Sequence, residues 1–469
     1  MSDTISFPVL AGLVRVADLL LLCAGGVIAT ALVTALYGVV PEGSIIPASA
    51  IGSVATAVSL ARKGAYRQDA LLSLAAQVRL SLASLVVGVF CMVAYLFALH
   101  PGHLHVRAWP AAWAVAGAAL ITLARVGETR LVRGWTATGR LARKVAVVGA
   151  SDFSGEFIRR LQEEAHAYRV VGLYDDRHTR VPSSQAGVEV LGTVRDLLDR
   201  SKRETIDVIV VALPLSAVDR IASVLDQLGP AVADICLTTD TAGVRFSSQQ
   251  FGELGRNPVV SIREAPLKDW RALQKMVLDY TFGVVALLVL SPVLLATAVL
   301  VRLDSPGPIL FRQPRLGFNN KLFLCYKFRS MHHGMADLLA DKQTTRDDPR
   351  VTRVGRVLRK LSVDELPQLL NVLNGTMSLV GPRPHAPNTK AADRLFTEVV
   401  QRYAQRHRVK PGITGWAQAN GWRGETTTAE QIERRVACDL FYIENWSVWF
   451  DLRIIAMTLL REVRSRHAF

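Results

Sequence analysis

Two regimes of apolar patterning divide the chain. As far as about residue 124 the apolar positions run in long stretches, at about 9–40, 44–61, 71–99 and 109–124. Each reads as a helix crossing about 30 Å of hydrocarbon. The connections alternate in charge. Residues 41–47 include no basic side chain, the next connection holds Arg62, Lys63 and Arg67, the third holds only Arg107, and the exit holds Arg125, Arg130, Arg133, Arg140, Arg143 and Lys144. Basic loops stay on the cytoplasmic side, so the pattern predicts a cytoplasmic N-terminus, four crossings and a cytoplasmic exit. The first stretch is too long for a signal-peptide core and reads as a retained helix. His103 and His105 lack further metal ligands and read as part of a solvated turn.

From about residue 144 to 262 the apolar runs shorten and alternate with amphipathic segments. Strands are predicted at 144–150, 169–176, 207–214 and 233–239, with helices at 156–165, 194–201 and 217–228 between them. Such alternation builds a parallel, doubly wound sheet. The turn from Gly149 to Gly155 follows the first strand, where a dinucleotide phosphate could dock, and Asp175 and Asp176 end the second, where a ribose acid could lie. The turn lacks the central glycine of G-x-G-x-x-G. A regulatory or oligomerising domain is the competing reading.

A fifth apolar run spans 277–301. Both flanks are basic: Arg271 and Lys275 precede it, and Arg302, Arg312 and Arg315 follow. Ser291-Pro292 lies near its middle, where proline removes a backbone donor and disfavours helix at the residue before it. A broken helix that enters and leaves by the cytoplasmic face is expected, with a kinked spanning helix as the alternative.

Composition sharpens this picture. The 469 residues are 50% hydrophobic and carry a formal net charge of +15, with a mean hydropathy of +0.25. The balance is too apolar for an ordinary soluble enzyme and too charged for a simple membrane bundle. No zinc-finger or RNA-recognition signature accompanies the basic charge, which points to anionic lipid or a phosphorylated substrate rather than nucleic acid. Five scattered cysteines, without CxxC spacing, exclude a disulfide framework.

The candidate chemistry centres on Asp364-Glu365. Lys327, Arg329, Arg346, Arg350, Arg353, Arg356, Arg359 and Lys360 precede the pair, and Arg383 follows. Such a set could bind a multiply charged phosphate ester and leave a carboxylate over to attack it. Pro367 is tolerated in the first turn of a helix, so a helix is predicted to begin near residues 362–364, where its N-terminus favours carboxylates and phosphates. Ser362 through Glu365 also fits S-x-x-E, a capping box that would want these acids for structural reasons. Arg353 and Arg356 could share a helix face toward anionic lipid. Near the C-terminus Trp446, Trp449 and Phe450 adjoin an apolar stretch ending in basic residues, which reads either as a helix lying on the membrane or as packing into the soluble body.

Three runs, at 304–331, 354–384 and 406–452, closely resemble the bacterial polyprenol-phosphate sugar-phosphate transferases, the monotopic phosphoglycosyl transferases. The resemblance is continuous from about Lys275 to the C-terminus. It implies a membrane α-helical bundle (1–127), a cytoplasmic α/β Rossmann-like, CoA-binding-like domain (143–262) and an α/β catalytic domain (270–469) with a re-entrant membrane helix hairpin at about 276–301, broken at Ser291-Pro292. It further implies a multi-pass protein of the bacterial inner membrane. The implied reaction moves a sugar 1-phosphate from a UDP-sugar to undecaprenyl phosphate, releasing UMP, at the start of exopolysaccharide or capsule synthesis. By the same resemblance Asp364 is the nucleophile and contacts Mg²⁺, Glu365 assists it, and Lys327, Arg329, Arg359 and Arg383 hold phosphates. The stretch from Gly421 to Leu452 resembles the glucose-specific branch, with galactose or an N-acetyl sugar as the alternative. A homo-oligomer is left open. A membrane-bound nucleotide-sugar dehydratase would need a Tyr-x-x-x-Lys pair, which the chain lacks. An inactive scaffold or sensor for polysaccharide export would have no need of the intact acidic pair.

Overall fold

The computed structural model describes residues 6–38, 45–99, 104–163, 167–177, 182–214, 216–238, 252–254, 257–333, 348–387, 389–391, 394–400, 402–422 and 428–464. His103 and Arg346 lie outside them, as does the side chain of His105. The chain forms two compact units, Met1–Ala142 and Arg143–Phe469.

In the first unit four helices pack together: α1 (Phe7–Tyr37), α2 (Ile45–Arg62), α3 (Leu74–Leu99) and α4 (Leu104–Ala137). Each contains a stretch long and apolar enough to cross a membrane. Lipid gives apolar helices no hydrophobic reason to associate, so close packing and polar contacts must hold them. A methyl group added at Gly88 would fall 2.0 Å from Thr56 Oγ1. The fourth helix outruns the 109–124 prediction, and the unit outruns residue 127, because the arginines that end the apolar run do not end the helix. Arg125 turns inward instead. It is fully buried and donates to Asp18 Oδ2 at 2.7 Å, Ser81 Oγ at 3.1 Å and Glu128 Oε2.

The second unit opens with the expected doubly wound sheet. Its strands are β1 (Arg143–Val148), β2 (Tyr168–Tyr174), β3 (Val208–Val211), β4 (Asp234–Thr238), β5 (Gly252–Leu254) and β6 (Asn257–Arg263), in the order β2-β1-β3-β4-β6-β5. The first four are parallel, while β6 runs antiparallel to β4 and β5 to β6. That antiparallel edge was not foreseen. Helices α5 (Asp152–Gln162), α6 (Val194–Arg203) and α7 (Val218–Gln227) connect the strands.

Helix α8 (Asp269–Asp304) contains the fifth apolar run. The break expected at Ser291-Pro292 is absent: both residues remain helical within one continuous helix. Pro292 cannot donate to the carbonyl of Leu288, four residues back, and Ser291 Oγ donates to that carbonyl at 2.7 Å instead. Both ends of α8 are docked. Near its start, buried Lys275 donates to Asp451 Oδ2 at 2.6 Å and Val380 O at 3.0 Å, and Asp279 accepts from Ser378 Oγ at 2.9 Å. Near its end Val301 packs with Phe328 and Leu358. Between them Val285, Leu288 and Val289 are exposed. The chain before α8 meets the chain after it: Asn319 Nδ2 donates to Ser201 O at 2.6 Å and Arg408 Nη2 to Glu264 O at 3.1 Å.

After α8 come the hairpin β7 (Leu310–Leu316) and β8 (Leu322–Phe328), α9 (Arg353–Lys360), α10 (Gln368–Leu373), the parallel pair β9 (Ser378–Val380) and β10 (Gly412–Thr414), and two last helices, α11 (Ala429–Glu444) and α12 (Val448–Arg464). Of the C-terminal aromatics, Trp446 is buried and donates to Asp451 Oδ2, and Phe450 packs edge-on against Trp416; only Trp449 projects outward.

Candidate active site

The acidic pair lies in a single 3₁₀ turn, Val363–Glu365, between α9 and α10. The helix start predicted at 362–364 and the capping box are both corrected here. Ser362 adopts φ 56°, the left-handed residue that follows the C-terminus of α9, and its side chain makes no capping bond. The regular helix begins only at Gln368, with Pro367 immediately before it at φ −61°. Asn371, fully buried one turn into α10, fastens this helix to β8. Its Oδ1 accepts from Tyr326 N at 2.8 Å and its Nδ2 donates to Leu324 O at 2.7 Å. That stitch sets Lys327, one residue beyond Tyr326, beside the dyad.

The two acids differ sharply. Glu365 is pinned: Lys327 Nζ donates to its Oε1 at 2.7 Å, Arg383 Nη2 to the same oxygen at 2.6 Å, and Arg383 Nη1 to Oε2 at 3.1 Å. Burial works against its charge, but the charges of Arg383 and Lys327 overcome that and hold its pKa well below the ordinary glutamate range. Asp364 is 8% exposed, and among the described residues its carboxylate has no hydrogen bond or ion pair. Burial pushes its pKa up; the charge of Lys327 opposes this, the charge of Glu365 adds to it, and Arg359 and Arg383 oppose it more weakly. Adjacent carboxylates titrate together, and here the pair divides into a fixed anion and a raised acid with no partner among the described residues.

The other predicted residues separate as well. Arg359 Nε donates to Ser330 Oγ at 2.8 Å, and its charge reaches Asp364. Arg350 is bound to Asp348, and Arg353 and Arg356 are exposed on α9 together with Val357. Among the described residues, Arg329 bonds to neither acid. It is buried, and its Nη2 donates to Ser305 O at 2.5 Å, Ser305 Oγ at 3.0 Å and Val301 O at 3.2 Å, which ties down the end of α8. Strand β8 ends at Phe328, one residue before Arg329.

Other contributors escaped the sequence reading. Arg406, 2% exposed, donates from Nη2 to Arg383 O at 2.8 Å and from Nε to Asp439 Oδ2 at 3.0 Å. Its Nη1 lies 2.6 Å from His385 Nδ1. A guanidinium only donates, so His385 Nδ1 must accept. Burial and the Arg406 charge hold the His385 pKa well below its usual value, so this ring stays neutral beside the site.

The candidate nucleotide turn of the Rossmann-like sheet is closed upon itself. Gly149 has φ 107°, and a Cβ there would lie 2.7 Å from Ala212 O. Asp175, fully buried, accepts from Ala150 N at 2.9 Å, Arg177 N at 2.8 Å and Arg220 Nη2 at 2.7 Å. Burial alone would raise its pKa, yet the Ala150 and Arg177 amides and Arg220 bring it down to about 2. Asp176 accepts from Val194 N at 3.0 Å.

A helical membrane unit, joined to an α/β body that holds a carboxylate pair, one of the two buried, among fixed cations, defines a membrane enzyme suited to phosphoryl chemistry. The chain belongs to the bacterial sugar transferase family. That family's model matches residues 270–465, and a CoA-binding domain model matches 61–238, reaching back into the membrane helices. The chain is 43% identical over 364 residues to the undecaprenyl-phosphate glucose phosphotransferase of Komagataeibacter xylinus, covering 76% of this chain and 66% of that one. It is 37% identical over 342 residues to the UDP-glucose:undecaprenyl-phosphate glucose-1-phosphate transferase of Escherichia coli, covering 72% of each. It is 42% identical to an Aeromonas hydrophila UDP-N-acetylgalactosamine-undecaprenyl-phosphate N-acetylgalactosaminephosphotransferase, over 44% of this chain and 47% of that one.

Proposed function

We propose that this chain transfers glucose 1-phosphate from UDP-glucose to undecaprenyl phosphate at the cytoplasmic face of the bacterial inner membrane, through a covalent intermediate on Asp364. The observation that carries the reading is the asymmetry of the dyad: a carboxylate without a partner among the described residues beside one locked between Lys327 and Arg383. An Asp364 oxygen attacks the β-phosphorus. The bond from that phosphorus to the bridging oxygen breaks, and UMP leaves with the electron pair. An oxygen of the lipid phosphate then attacks the same phosphorus, and the bond to Asp364 breaks. Each displacement is easier than a single direct one between two anions. Lys327, Arg359 and Arg383 supply positive charge for the phosphoryl oxygens. Glu365, held as an anion, positions Lys327 and Arg383 rather than accepting a proton.

Mg²⁺ suits this donor set. Among the described residues no cluster of three or more His, Cys, Asp or Glu could cage a metal. Mg²⁺ takes one or two carboxylates plus phosphate oxygens, and Asp364 offers an unpartnered carboxylate to hold it. When bound, it would neutralise the diphosphate oxygens.

The re-entrant reading of α8 rests on its anchors. Both ends dock on one compact unit, and the segments before and after it touch through Asn319–Ser201 and Arg408–Glu264. A spanning helix would part those segments by the width of the bilayer. Glucose is favoured because the relatives that match most of the chain are named for it, whereas the N-acetylgalactosamine relative matches under half. The test is UMP release by purified protein given undecaprenyl phosphate, Mg²⁺ and a panel of UDP-sugars. Release with UDP-glucose is expected; release only with another UDP-sugar would overturn the glucose reading.

A further inference from the structure

Arg383 is one of the two cations that pin Glu365, and its loop has little intrinsic order, since Gly381-Pro382-Arg383-Pro384-His385 is neither helix nor strand. Its carbonyls are nonetheless held one after another. Pro382 O accepts from Gly412 N at 3.0 Å, Arg383 O from Arg406 Nη2 at 2.8 Å, Pro384 O from Arg315 Nη1 at 2.8 Å, and His385 O from Leu316 N at 3.1 Å. Two of the four donors are guanidinium groups. Each is fixed from its far side: Arg315 by two bonds to Gln313 Oε1, at 3.2 and 2.7 Å, and Arg406 by Asp439 and the ring of Tyr403. A planar fork can grip a carbonyl and a second acceptor at once, which an ammonium does less well.

We propose that Arg315 and Arg406 are positioning residues for the reaction. They do not touch phosphate. They clamp the successive carbonyls of Arg383 and Pro384 and so aim the Arg383 guanidinium at the diphosphate. The inference rests on the functional reading above. It separates two arginines from the phosphate-binding set although they lie within the same basic cluster.

A double-mutant cycle on the full-length protein in nanodiscs tests it. UMP release is measured against UDP-glucose concentration for wild type, Arg383→Ala, Arg406→Met and the double variant. Arg406→Met alone is expected to lower kcat/KM at least about tenfold, mainly by raising KM, and Arg406→Lys to restore part of the loss. In the Arg383→Ala background the same change should cost no more than about twofold, because nothing remains to be aimed. Wild-type kcat/KM in Arg406→Met, or a double variant that falls by the product of the single losses, would overturn the clamp. Should Arg406→Met not fold, Arg315→Met carries the same cycle, because methionine donates to neither Gln313 nor Pro384. A wild type that releases no UMP from UDP-glucose would instead sink the functional reading, which is a different result from additive losses in an active enzyme.

Discussion

Asp175 and Asp364 invite comparison. Both are buried aspartates with arginines close by, in neighbouring parts of one compact unit. Asp175 spends its carboxylate on two main-chain amides and two arginines, and its pKa falls to about 2. Asp364 spends its carboxylate on none of the described residues, and its pKa rises. The first arrangement closes a turn. The second keeps a nucleophile available while Glu365 absorbs the neighbouring cations. A buried acid left unpartnered beside fixed positive charge costs stability, and that cost marks the site of chemistry.

The comparison can be broken at several points. Asp364→Asn should lower turnover by about a thousandfold or more while leaving the melting temperature unchanged or higher, because it removes a buried charge with no partner. Steady-state UMP release and thermal unfolding of the same sample check both halves. Lys327→Met should lower kcat/KM by about a hundredfold, the scale of one lost charge-stabilising donor.

The pH profile sharpens the contrast. Asp364 must be ionised to attack, and burial raises its pKa, so the acid limb of kcat/KM should lie above the ordinary aspartate value of about 3.9. Glu365→Gln removes the neighbouring negative charge and frees Lys327 and Arg383 to face Asp364. Both changes favour the Asp364 anion, so the limb should move to lower pH even as the rate falls. A limb that stays in place would show that the two carboxylates are not coupled. The smallest effect on turnover is expected at Asp175. Asp175→Asn should change kcat/KM by less than about threefold, yet destabilise the unit by about 2–3 kcal/mol as its charge-assisted bonds weaken. Isothermal denaturation would measure that loss.

The apolar N-terminal helices and the α/β sheet region were legible in the sequence through apolar periodicity, and the motif-dense run named Lys327 and Arg383, which the fold brings to Glu365. What was not legible depended on distant partners or on local backbone. Arg406 and Arg315 are two basic residues among 55, and nothing near them in the chain marks the carbonyls they grip. Arg125 was counted as a loop charge because its partner Asp18 lies 107 residues away. Arg329 was expected among the phosphate holders by resemblance, and nothing near it in the chain marks its bonds to Val301 and Ser305, 28 and 24 residues away. The S-x-x-E pattern at Ser362 failed because the preceding helix claims that residue as its left-handed terminus.

The most direct test of the central claim is intact-mass measurement of protein quenched after mixing with UDP-glucose and Mg²⁺ in the absence of undecaprenyl phosphate. The account predicts a mass increase of one hexose phosphate, mapped by peptide sequencing to Asp364, absent in Asp364→Asn and discharged when the lipid phosphate is added. An unmodified protein that nonetheless turns over at full rate once the lipid is supplied would contradict it.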